Sequence, residues 1–470
     1  MNVLRNSLQA LAAAAEAAAL PPDPWRPGFH LTPPTGWLND PNGLCYFRGE
    51  YHVFYQYHPF GPACGLKFWG HCKSRDLLSW ERLPVMLCPD LPCDVHGAYS
   101  GSALCEEEGL YLYYTGNVKL EGNYDYVHNG REANTVLAYS PDGVRLAWKR
   151  LLMRNADYPA GLTCHVRDPK VWKQDGVYYM VQGARTDADT GAVLVFASQD
   201  KLHWKHINTL RTPEPFGYMW ECPDLFQLDG QWFLMVSPQG VERKGPGYEN
   251  RYACGYFPLR GDFRGAYSLG PFVPLDYGFD FYAPQTFSDG ARRLLIGWMG
   301  MPDADYHNPT AARGWQHCLT VPRELYREGE RLHMRPVREL EGLREASRTA
   351  AITGGQTLDL PPLFEAEIAC AGPLALELSG VSLTAGDGLL TLTIQEGGYG
   401  RTVRRAPLKA LRSLRVLADT SALEFYANDG EAVLSARWYP DALRRSLTLR
   451  GEGQAVVHTL RPMEIVSAPS

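Results

Sequence analysis

The stretch NDPNGLCYFRGEYHVFYQYHP, residues 39–59, contains the pattern on which the fold prediction rests. A short polar cluster leads into an apolar run, the tripeptide RGE interrupts that run, and a second, aromatic run follows. Runs rich in aromatic and β-branched residues on either side of a short turn are typical of a β-hairpin. The stretch therefore predicts two antiparallel strands, with polar side chains where the first strand begins.

Four later stretches repeat this pattern at intervals of roughly sixty residues. They are YSGSALCEEEGLYLYYTGN (99–117), RDPKVWKQDGVYYMVQGAR (167–185), ECPDLFQLDGQWFLMVSPQG (221–240) and YAPQTFSDGARRLLIGWMG (282–300). A four-stranded blade with short loops needs roughly 40–50 residues, and longer loops extend it to this spacing. Five units predict a five-bladed β-propeller whose first strands line a central channel, which brings Asp40, Ser100, Asp168 and Glu221 to one mouth. The alternative is an array of β-sandwiches in which these residues do not converge.

The two ends of the chain differ from this repeat. The alanine-rich residues 8–20 predict an amphipathic helix that ends before Pro21 and Pro22. Short alternating strands from about residue 350 predict a β-sandwich. The predicted all-β chain thus has an N-terminal helix and lead-in (1–24), a five-bladed β-propeller that forms the catalytic domain (25–325), a linker (326–349) and a C-terminal β-sandwich (350–470).

Composition excludes several classes of function. A net charge of −6 argues against a nucleic-acid-binding surface and favours small neutral substrates. The 11 cysteines include no C-x-x-C pair, which argues against a zinc site and favours a reducing compartment. Glu16 interrupts the alanine-rich run, so we expect no export signal, no membrane span and a cytoplasmic location. The oligomeric state stays open, and a homo-oligomer is compatible with the sequence.

Three carboxylic acids at the starts of repeat units suggest the chemistry. Hydrolysis of a glycosidic bond with retention needs one carboxylate that attacks the anomeric carbon and one carboxylic acid that protonates the leaving oxygen. Asp40 lies among amide donors in GWLNDPNG, which suits a nucleophile, and Glu221 lies between Trp220 and Cys222, whose side chains would desolvate a general acid. Arg167 is expected to keep Asp168 ionised. The plain alternative is that each aspartate only caps a turn.

With these motifs the chain resembles glycoside hydrolase family 32, which includes invertases, sucrose-6-phosphate hydrolases, levanases and inulinases. The resemblance rests on FHLTPPTGWLNDPNG, FYQYHP, FWGHCKSRDLLSW, YSGSA, RDPKVW, ECPDLF and IGWMG, which follow one another from about Arg26 to Pro322. It extends into the carboxyl-terminal part through ELEGLR and LRVLADTSALEFYANDGEAVLSARWYP.

The resemblance implies a β-fructofuranosidase that cleaves sucrose or sucrose 6-phosphate and needs no metal or organic cofactor. It assigns the nucleophile to Asp40, the transition-state stabiliser to Asp168 and the acid/base to Glu221. It also places a set of neighbours around the fructosyl unit, namely Asn39, Gln56, Trp69, Ser100, Arg167 and Trp298. Each neighbour has a structural alternative, such as an ordinary strand amide for Gln56 or packing between blades for the two tryptophans.

Some questions stay open at the level of sequence. Cys64 stands where many family members have a tryptophan, so an aromatic wall is either missing or supplied from elsewhere. Lys67, Lys73 and Arg251 are candidates for holding a phosphate, although each is more commonly a surface charge. A fructan exo-hydrolase or a fructosyltransferase would use the same residues. Outside this class, a non-catalytic sugar-binding propeller or a protein-interaction scaffold are the alternatives.

Overall fold

The computed structural model describes residues 2–18, 20–441 and 445–468. Within these ranges one α-helix precedes 33 β-strands and four short 3-10 turns. Small antiparallel sheets in a propeller-like arrangement are followed by a sandwich-like sheet region. The prediction of an all-β chain with a propeller-like part and a carboxyl-terminal sandwich is confirmed at this level. In the described part of the chain, no helix has the length and apolarity needed to cross a membrane.

The helix, α1 (Val3–Ala17), begins earlier than the sequence analysis predicted. The side chain of Asn2 accepts a hydrogen bond from the N–H of Arg5, which caps the first turn. Its one fully buried residue is Ala12, which packs into the core of the propeller-like part. The helix ends at Ala17, four residues before Pro21, whose ring cannot continue a helix.

The strands up to Pro336 form five sheets, each built from successive hairpins. The first contains β1 (Gly36–Phe47), β2 (Glu50–His58), β3 (Phe68–Ser74) and β4 (Ser79–Leu87). The second contains β5 (Ala98–Glu106), β6 (Gly109–Lys119), β7 (Arg131–Ser140) and β8 (Trp148–Met153). The third contains β9 (Leu162–Gln174), β10 (Val177–Thr186), β11 (Gly191–Ser198) and β12 (Lys205–Leu210).

The last two sheets are less regular. The fourth contains β13 (Met219–Leu228), β14 (Gln231–Gln239), β15 (Gly255–Gly261), β16 (Tyr267–Leu269) and β17 (Val273–Pro274). The fifth contains β18 (Tyr282–Ser288), β19 (Arg293–Met299), β21 (Cys318–Leu319), β22 (Arg323–Glu328) and β23 (Arg331–Pro336). Between β19 and β21 the chain forms β20 (Trp315–Gln316), which pairs with β1 in the first sheet.

The first strands of these sheets pack beside one another in a closed succession. Strand β1 contacts β5, β5 contacts β9, β9 contacts β13, β13 contacts β18, and β18 contacts β1 again. The sheets therefore surround a common axis. Residues that begin these five strands come together even though they are far apart in sequence.

Each of these first strands is irregular close to its start. In each case the pairing register with the second strand of the sheet shifts at one place. The shift lies between Leu38 and Pro41 in β1, Ala98 and Gly101 in β5, Arg167 and Lys170 in β9, Glu221 and Asp224 in β13, and Tyr282 and Gln285 in β18. Such bulges insert extra residues into one strand and re-aim its side chains. Proline, which cannot donate to the ladder, stands at four of the bulges, as Pro41, Pro169, Pro223 and Pro284. At the fifth, Gly101 is needed because a Cβ would lie 1.9 Å from the Tyr113 carbonyl oxygen.

The rest of the chain forms strands with alternating burial, three of which are long. They are β24 (Arg344–Leu360), β25 (Phe364–Leu378), β26 (Val381–Gly386), β27 (Leu389–Ile394), β28 (Val403–Pro407), β29 (Ser413–Ala418), β30 (Ala422–Ala427), β31 (Ala432–Arg437), β32 (Arg445–Leu460) and β33 (Glu464–Ser467), the last of which pairs with β4. The predicted domain boundary at residue 325 falls inside β22. The β22–β23 hairpin continues the fifth sheet to Pro336, and β24 begins within the predicted linker.

Buried ion pairs join the sandwich-like part to the segment that leads into β18. Arg323 contacts Asp276 at 3.1 Å and Glu424 at 2.8 Å, and all three side chains are inaccessible to solvent. Arg401 binds both carboxylate oxygens of Asp280 at 2.8 Å. Breaking one partner of such a pair leaves an uncompensated buried charge and costs roughly 3–5 kcal/mol. These contacts therefore hold the start of β18, where the first residue faces the axis.

Candidate active site

A cavity of about 290 Å³ opens where the first strands begin. Of the nine residues predicted from the sequence, seven line this cavity: Asn39, Asp40, Gln56, Arg167, Asp168, Glu221 and Trp298. Ser100 lies directly behind it, hydrogen-bonded to Asp40. Trp69 lies elsewhere, in the apolar core between the first two sheets. The three carboxylic acids that the sequence separates are thus neighbours in the folded chain.

The bulges place two successive residues of each first strand at the axis. The residue immediately before the bulge proline or glycine forms one set, which consists of Asp40, Ser100, Asp168, Cys222 and Ala283. The residue one position earlier forms a second set, all of which line the cavity: Asn39, Tyr99, Arg167, Glu221 and Tyr282. The expectation that Glu221 is equivalent to Asp40 and Asp168 is therefore off by one residue. Cys222 holds that position, and Glu221 corresponds to Arg167.

Asp40 is held by an ordered chain of hydrogen bonds. Ser100 Oγ donates to Asp40 Oδ2 at 2.5 Å, and Asn39 Nδ2 donates to Oδ1 at 3.1 Å. Gln56 orients both neighbours, because its Nε2 donates to Ser100 Oγ at 2.5 Å and its Oε1 accepts from Asn39 Nδ2 at 3.0 Å. Trp37 Nε1 in turn donates to Asn39 Oδ1 at 2.9 Å, which fixes the orientation of that amide. The donors favour the carboxylate that a nucleophile requires.

Burial acts against these donors. Burial raises the pKa of Asp40, the negative charge of Glu221 adds to this effect, and the hydroxyl of Ser100, the amide of Asn39 and the ammonium of Lys67 oppose it. Lys67 is itself only 5% exposed. Its Nζ has no hydrogen-bond partner among the described residues and lies 5.1 Å from the centroid of the Trp37 ring. The site therefore concentrates charged groups among largely buried side chains.

Asp168 adopts a left-handed backbone conformation, with φ of 62°. Its N–H donates to Thr115 Oγ1 at 3.0 Å, and its Oδ2 accepts the N–H of Cys222 at 2.9 Å. Burial raises the pKa of Asp168 to about 7; Arg167 opposes this, and the charges of Glu221 and Asp40 add to it. Arg167 was expected to keep this carboxyl ionised. Its guanidinium, whose Nε is 4.0 Å away, lowers the pKa by less than burial and the two neighbouring acids together raise it.

Glu221 is the main partner of Arg167. The guanidinium contacts Oε1 through Nη2 at 2.7 Å and through Nε at 3.2 Å. On the other oxygen, Oε2 accepts from Gln239 Nε2 at 2.8 Å and from the Tyr282 hydroxyl at 2.7 Å. The same hydroxyl lies 3.1 Å from the carbonyl oxygen of Ser237. When Glu221 is ionised, the Tyr282 hydroxyl can donate a hydrogen bond to it. When Glu221 carries a proton, the same hydroxyl can accept a hydrogen bond from Glu221 and donate its own to the carbonyl oxygen of Ser237.

Trp220 does not desolvate Glu221 in the way the sequence suggested. Its indole is fully buried on the other face of the strand, packs 5.3 Å from the Phe257 ring and donates to the carbonyl oxygen of Phe216. Successive residues of a strand face opposite sides, so a flanking tryptophan need not touch its neighbour.

Cys222 connects two of the acids. Its Sγ lies 3.7 Å from Asp40 Oδ2 and 3.6 Å from Asp168 Oδ2, and its backbone N–H is bound to the latter. Burial raises the pKa of this thiol well above its usual value, and the negative charges of Asp168, Asp40 and Glu221 add to this. Cys222 is therefore a neutral weak donor that sits between two carboxyl groups.

Aromatic side chains form the wall of the cavity. Trp37, Tyr99, Tyr282 and Trp298 all line it, together with Cys64, which is the residue found in place of a tryptophan. The rings of Trp37 and Trp298 are 6.1 Å apart. The aromatic wall is thus supplied from other strands. Aromatic faces next to polar groups suit the apolar faces and the hydroxyls of a sugar.

Trp69 supports this wall from behind. It is fully buried, its ring packs 6.0 Å from Phe54 and 6.1 Å from Tyr114, and its Nε1 donates to the carbonyl oxygen of Tyr99 at 3.0 Å. The resemblance implied a place beside the sugar for this residue. In this structure it holds the backbone of Tyr99 and does not line the cavity.

Several lining residues were missed by the sequence analysis. They are Trp37, Tyr99, Arg131, Gln239, Tyr282, Met301, Pro302 and Asp303. Tyr99 and Tyr282 hold the repeat position of Asn39 and Glu221, so the repeat itself contained the signal. Of the three basic candidates for a phosphate, only Lys67 lines the cavity.

The other two basic candidates lie outside this lining. Lys73 is paired with Glu50 and Glu81, and Arg251 is exposed beside Tyr252. Within the described part of the chain, no group of three or more His, Cys, Asp and Glu side chains is arranged to hold a metal ion. The cavity therefore presents the three predicted carboxyl groups and that of Asp303, together with amides and aromatic rings. These groups suit acid–base and nucleophilic chemistry on a sugar.

Comparisons with known proteins agree with this description. The family model described as glycosyl hydrolases family 32 N-terminal domain matches residues 30–336, and the one described as glycosyl hydrolases family 32 C terminal matches residues 391–464. A sucrose-6-phosphate hydrolase of Bacillus subtilis is 39% identical over 454 residues, which covers 92% of this chain and 93% of the relative. One from Klebsiella pneumoniae is 41% identical over 445 residues and covers 88% of both chains. A solved β-fructofuranosidase mutant of Bombyx mori in complex with sucrose has a TM-score of 0.86, is 31% identical and covers 98% of both chains.

Proposed function

The chain belongs to glycosyl hydrolase family 32, and we propose that it hydrolyses terminal β-D-fructofuranosides, sucrose or sucrose 6-phosphate, with retention at the anomeric carbon. The relatives named sucrose-6-phosphate hydrolase and the sucrose complex of the Bombyx mori enzyme support this substrate class. The observation that carries the mechanism is the convergence of Asp40, Asp168 and Glu221 on one cavity.

In the first step, the fructosyl ring lies against Asp40 and Asp168. The Asp40 carboxylate attacks C2 while Glu221 gives its proton to the glycosidic oxygen, so the C2–O bond breaks and the glucosyl part leaves as an alcohol. A covalent fructosyl-enzyme results. Positive charge grows on C2 and the ring oxygen in the transition state, and the neighbouring Asp168 carboxylate stabilises it while accepting hydrogen bonds from ring hydroxyls.

In the second step, Glu221 acts as a base. It takes a proton from water as the water oxygen attacks C2, and the bond to Asp40 breaks. Fructose leaves with its original configuration, and both acids return to their starting protonation states. Tyr282, with an acceptor available in both protonation states of Glu221, orients this residue throughout.

The surrounding residues have positioning roles in this proposal. Ser100, Asn39 and Gln56 orient Asp40, and Asn39 and Gln56 also face the cavity, where they can bind hydroxyls. Arg167 holds Glu221 on the leaving-group side. Trp298 forms part of the wall, whereas Trp69 acts through the backbone of Tyr99.

Replacing Asp40 with Asn tests the assignment of the nucleophile. We expect Asp40→Asn to lower kcat on sucrose by at least about a thousandfold, since attack on C2 is lost. Circular dichroism and thermal unfolding check that the variant is folded. A folded variant that keeps more than a few per cent of the activity would overturn the assignment.

Methanol tests the stereochemistry independently. In a water–methanol mixture a retaining enzyme transfers part of the fructosyl group to methanol and produces methyl β-D-fructofuranoside. Nuclear magnetic resonance distinguishes this product from the α-anomer, and formation of the α-anomer would contradict a covalent intermediate on Asp40.

A fructan exo-hydrolase and a fructosyltransferase are the alternative functions within the class. Rates on sucrose, its 6-phosphate, inulin and levan distinguish the first, and the ratio of free fructose to transferred fructose distinguishes the second. A non-catalytic sugar-binding protein would release no fructose from any of these substrates.

The organisation of the molecule completes the proposal. We take the five sheets around the common axis to be five blades of one catalytic propeller, supported by the closed succession of their first strands. The sandwich then braces the catalytic unit through the ion pairs of Arg323 and Arg401. A cytoplasmic location is proposed from the many cysteine side chains, and the oligomeric state is a question for sedimentation.

A further inference from the structure

Three cationic side chains line the cavity, and they differ in what they bind. Arg167 is bound to Glu221, and Lys67 lies near Asp40 over the ring of Trp37. Arg131, at the start of β7, is half-buried and takes part in no ion pair among the described residues. Its Nε is buried without a hydrogen-bond partner. A buried polar group without a partner is costly, so an unpaired guanidinium that lines a cavity indicates a ligand with negative charge.

The position of Arg131 shows which half of the substrate would carry that charge. Arg131 lies close to Arg167 and to the ring of Tyr99, and Arg167 holds Glu221, the acid that protonates the leaving oxygen. The fructosyl ring takes the other side, against Asp40 and Asp168. A group that reaches Arg131 therefore belongs to the leaving group.

The surroundings of Arg131 strengthen the positive potential there. His165 accepts from Arg167 Nη1 on its Nδ1, and its Nε2 contacts the Tyr126 carbonyl oxygen at 3.1 Å, which is the arrangement of a neutral ring. Burial lowers the pKa of His165 to about 2, and the charges of Arg167, Arg131 and Arg185 add to this effect. Of the three arginines that act on His165, Arg167 is paired with Glu221 and Arg185 with Asp189, whereas Arg131 has no such partner among the described residues.

From this arrangement we propose that Arg131 binds a phosphate monoester on the glucosyl part of the substrate, so that the cavity prefers phosphorylated sucrose to sucrose itself. A guanidinium offers two parallel N–H donors to phosphate oxygens, a geometry that a single sugar hydroxyl cannot use. The inference rests on the fructofuranosidase function proposed above. It adds the residue that determines which sucrose is the substrate.

The test compares kcat/KM for sucrose 6-phosphate with kcat/KM for sucrose in purified variants. Arg131→Gln should lower the ratio of the two constants by about 10- to 100-fold, as expected for the loss of a charge-assisted hydrogen bond. Arg131→Lys keeps the charge without the fork and should lie in between. Arg185→Gln is the matched control, because Arg185 is a neighbouring arginine that is paired with Asp189 and does not line the cavity; its ratio should equal that of the wild type.

The outcomes separate this inference from the proposed function. An equal loss on both substrates in Arg131→Gln would make Arg131 a ligand of sugar hydroxyls and overturn the phosphate assignment. A change of the ratio in Lys67→Met but not in Arg131→Gln would move the phosphate to the fructosyl side and overturn it as well. If the wild-type protein releases fructose from neither substrate, it is the fructofuranosidase function that fails.

Discussion

Replacing Asp168 with Asn should inactivate the protein and at the same time stabilise its fold above neutral pH. Asp168 is 4% exposed, and Asp40 and Glu221, whose charges act on it, line the same cavity. Its pKa, ordinarily near 3.8, is raised to about 7, with burial as the largest cause. Asparagine has nearly the same shape, carries no charge and keeps an oxygen to accept the N–H of Cys222. Active sites commonly retain such strain because function requires it.

The sign and size of the effect follow from proton linkage. Between pH 3.8 and about 7 the folded protein holds a proton on Asp168 that the unfolded chain has already lost. Stability therefore decreases as the pH rises through this window, and the cost of the ionised carboxylate is complete above pH 7. Each tenfold change in proton affinity corresponds to about 1.4 kcal/mol, so the full cost is about 4 kcal/mol as an upper bound.

Thermal unfolding of the wild type and of Asp168→Asn at pH 5 and pH 8 measures this cost. Of the pH window from 3.8 to about 7, about two units lie between the two measurements, which corresponds to about 2.7 kcal/mol. A chain of this length has an unfolding entropy of about 1 kcal/mol per kelvin, so we expect the advantage of the variant to grow by up to about 3 °C from the lower to the higher pH. The control is Asp280→Asn, which removes the partner of the buried Arg401. It should destabilise the protein at both pH values.

The outcome that refutes this reasoning is specific. If Asp168→Asn has the same pH dependence of Tm as the wild type, the Asp168 carboxyl is not destabilised in the folded state. If the variant is less stable at pH 8 than at pH 5 relative to the wild type, the attraction of Arg167 for Asp168 outweighs burial and the stated balance of the site is wrong.

Two further predictions concern the residues behind the cavity. Ser100→Ala removes a hydrogen-bond donor from Asp40 and should lower kcat by about 10- to 100-fold. It should also shift the acidic limb of the pH–rate profile to higher pH, because loss of a donor raises the pKa of that carboxyl. An unchanged acidic limb would count against Asp40 as the titrating group. Trp37→Phe and Trp69→Phe form a matched pair. The first frees the Asn39 amide and should raise KM with little loss of stability. The second leaves a void in the core and should lower the free energy of unfolding by about 1–3 kcal/mol, with a smaller rise in KM through the Tyr99 backbone. The reverse pattern in steady-state kinetics and urea unfolding would mean that the two tryptophans have been assigned to the wrong places.

The hairpins and their repetition could be predicted because both depend on local chemistry. Turn residues such as RGE and LDG separate runs of strand-forming residues, and the spacing of the runs gives the sheets. The fifth sheet was cut short at residue 325 because β22 and β23 are charged on their exposed face, and RELYRE and RLHMRP resemble a linker more than a buried strand. An edge hairpin of this kind is recognisable only when its partner β19 is known.

The contacts of individual side chains could not be predicted in the same way. Arg167 precedes Asp168 in the chain, yet it binds Glu221, which is 54 residues further on. Trp220 precedes Glu221, yet it faces the opposite side of the strand. In both cases the prediction assumed that neighbours in sequence are in contact. In a strand, however, the side chains of two successive residues point to opposite faces.

The bulges explain why the site nevertheless has a simple relation to the sequence. Proline or glycine interrupts each first strand at the same place, so the two residues before it are freed from strict alternation and both reach the axis. Reading these pairs in chain order gives Asn39–Asp40, Tyr99–Ser100, Arg167–Asp168, Glu221–Cys222 and Tyr282–Ala283. Charged or hydrogen-bonding side chains occupy both places in the first three pairs, the fourth ends in cysteine, and the fifth ends in the fully buried Ala283. A register slip of one residue at any of the bulges would exchange the two members of a pair, so the prolines that fix the register determine the geometry of the acids as much as the acids themselves do.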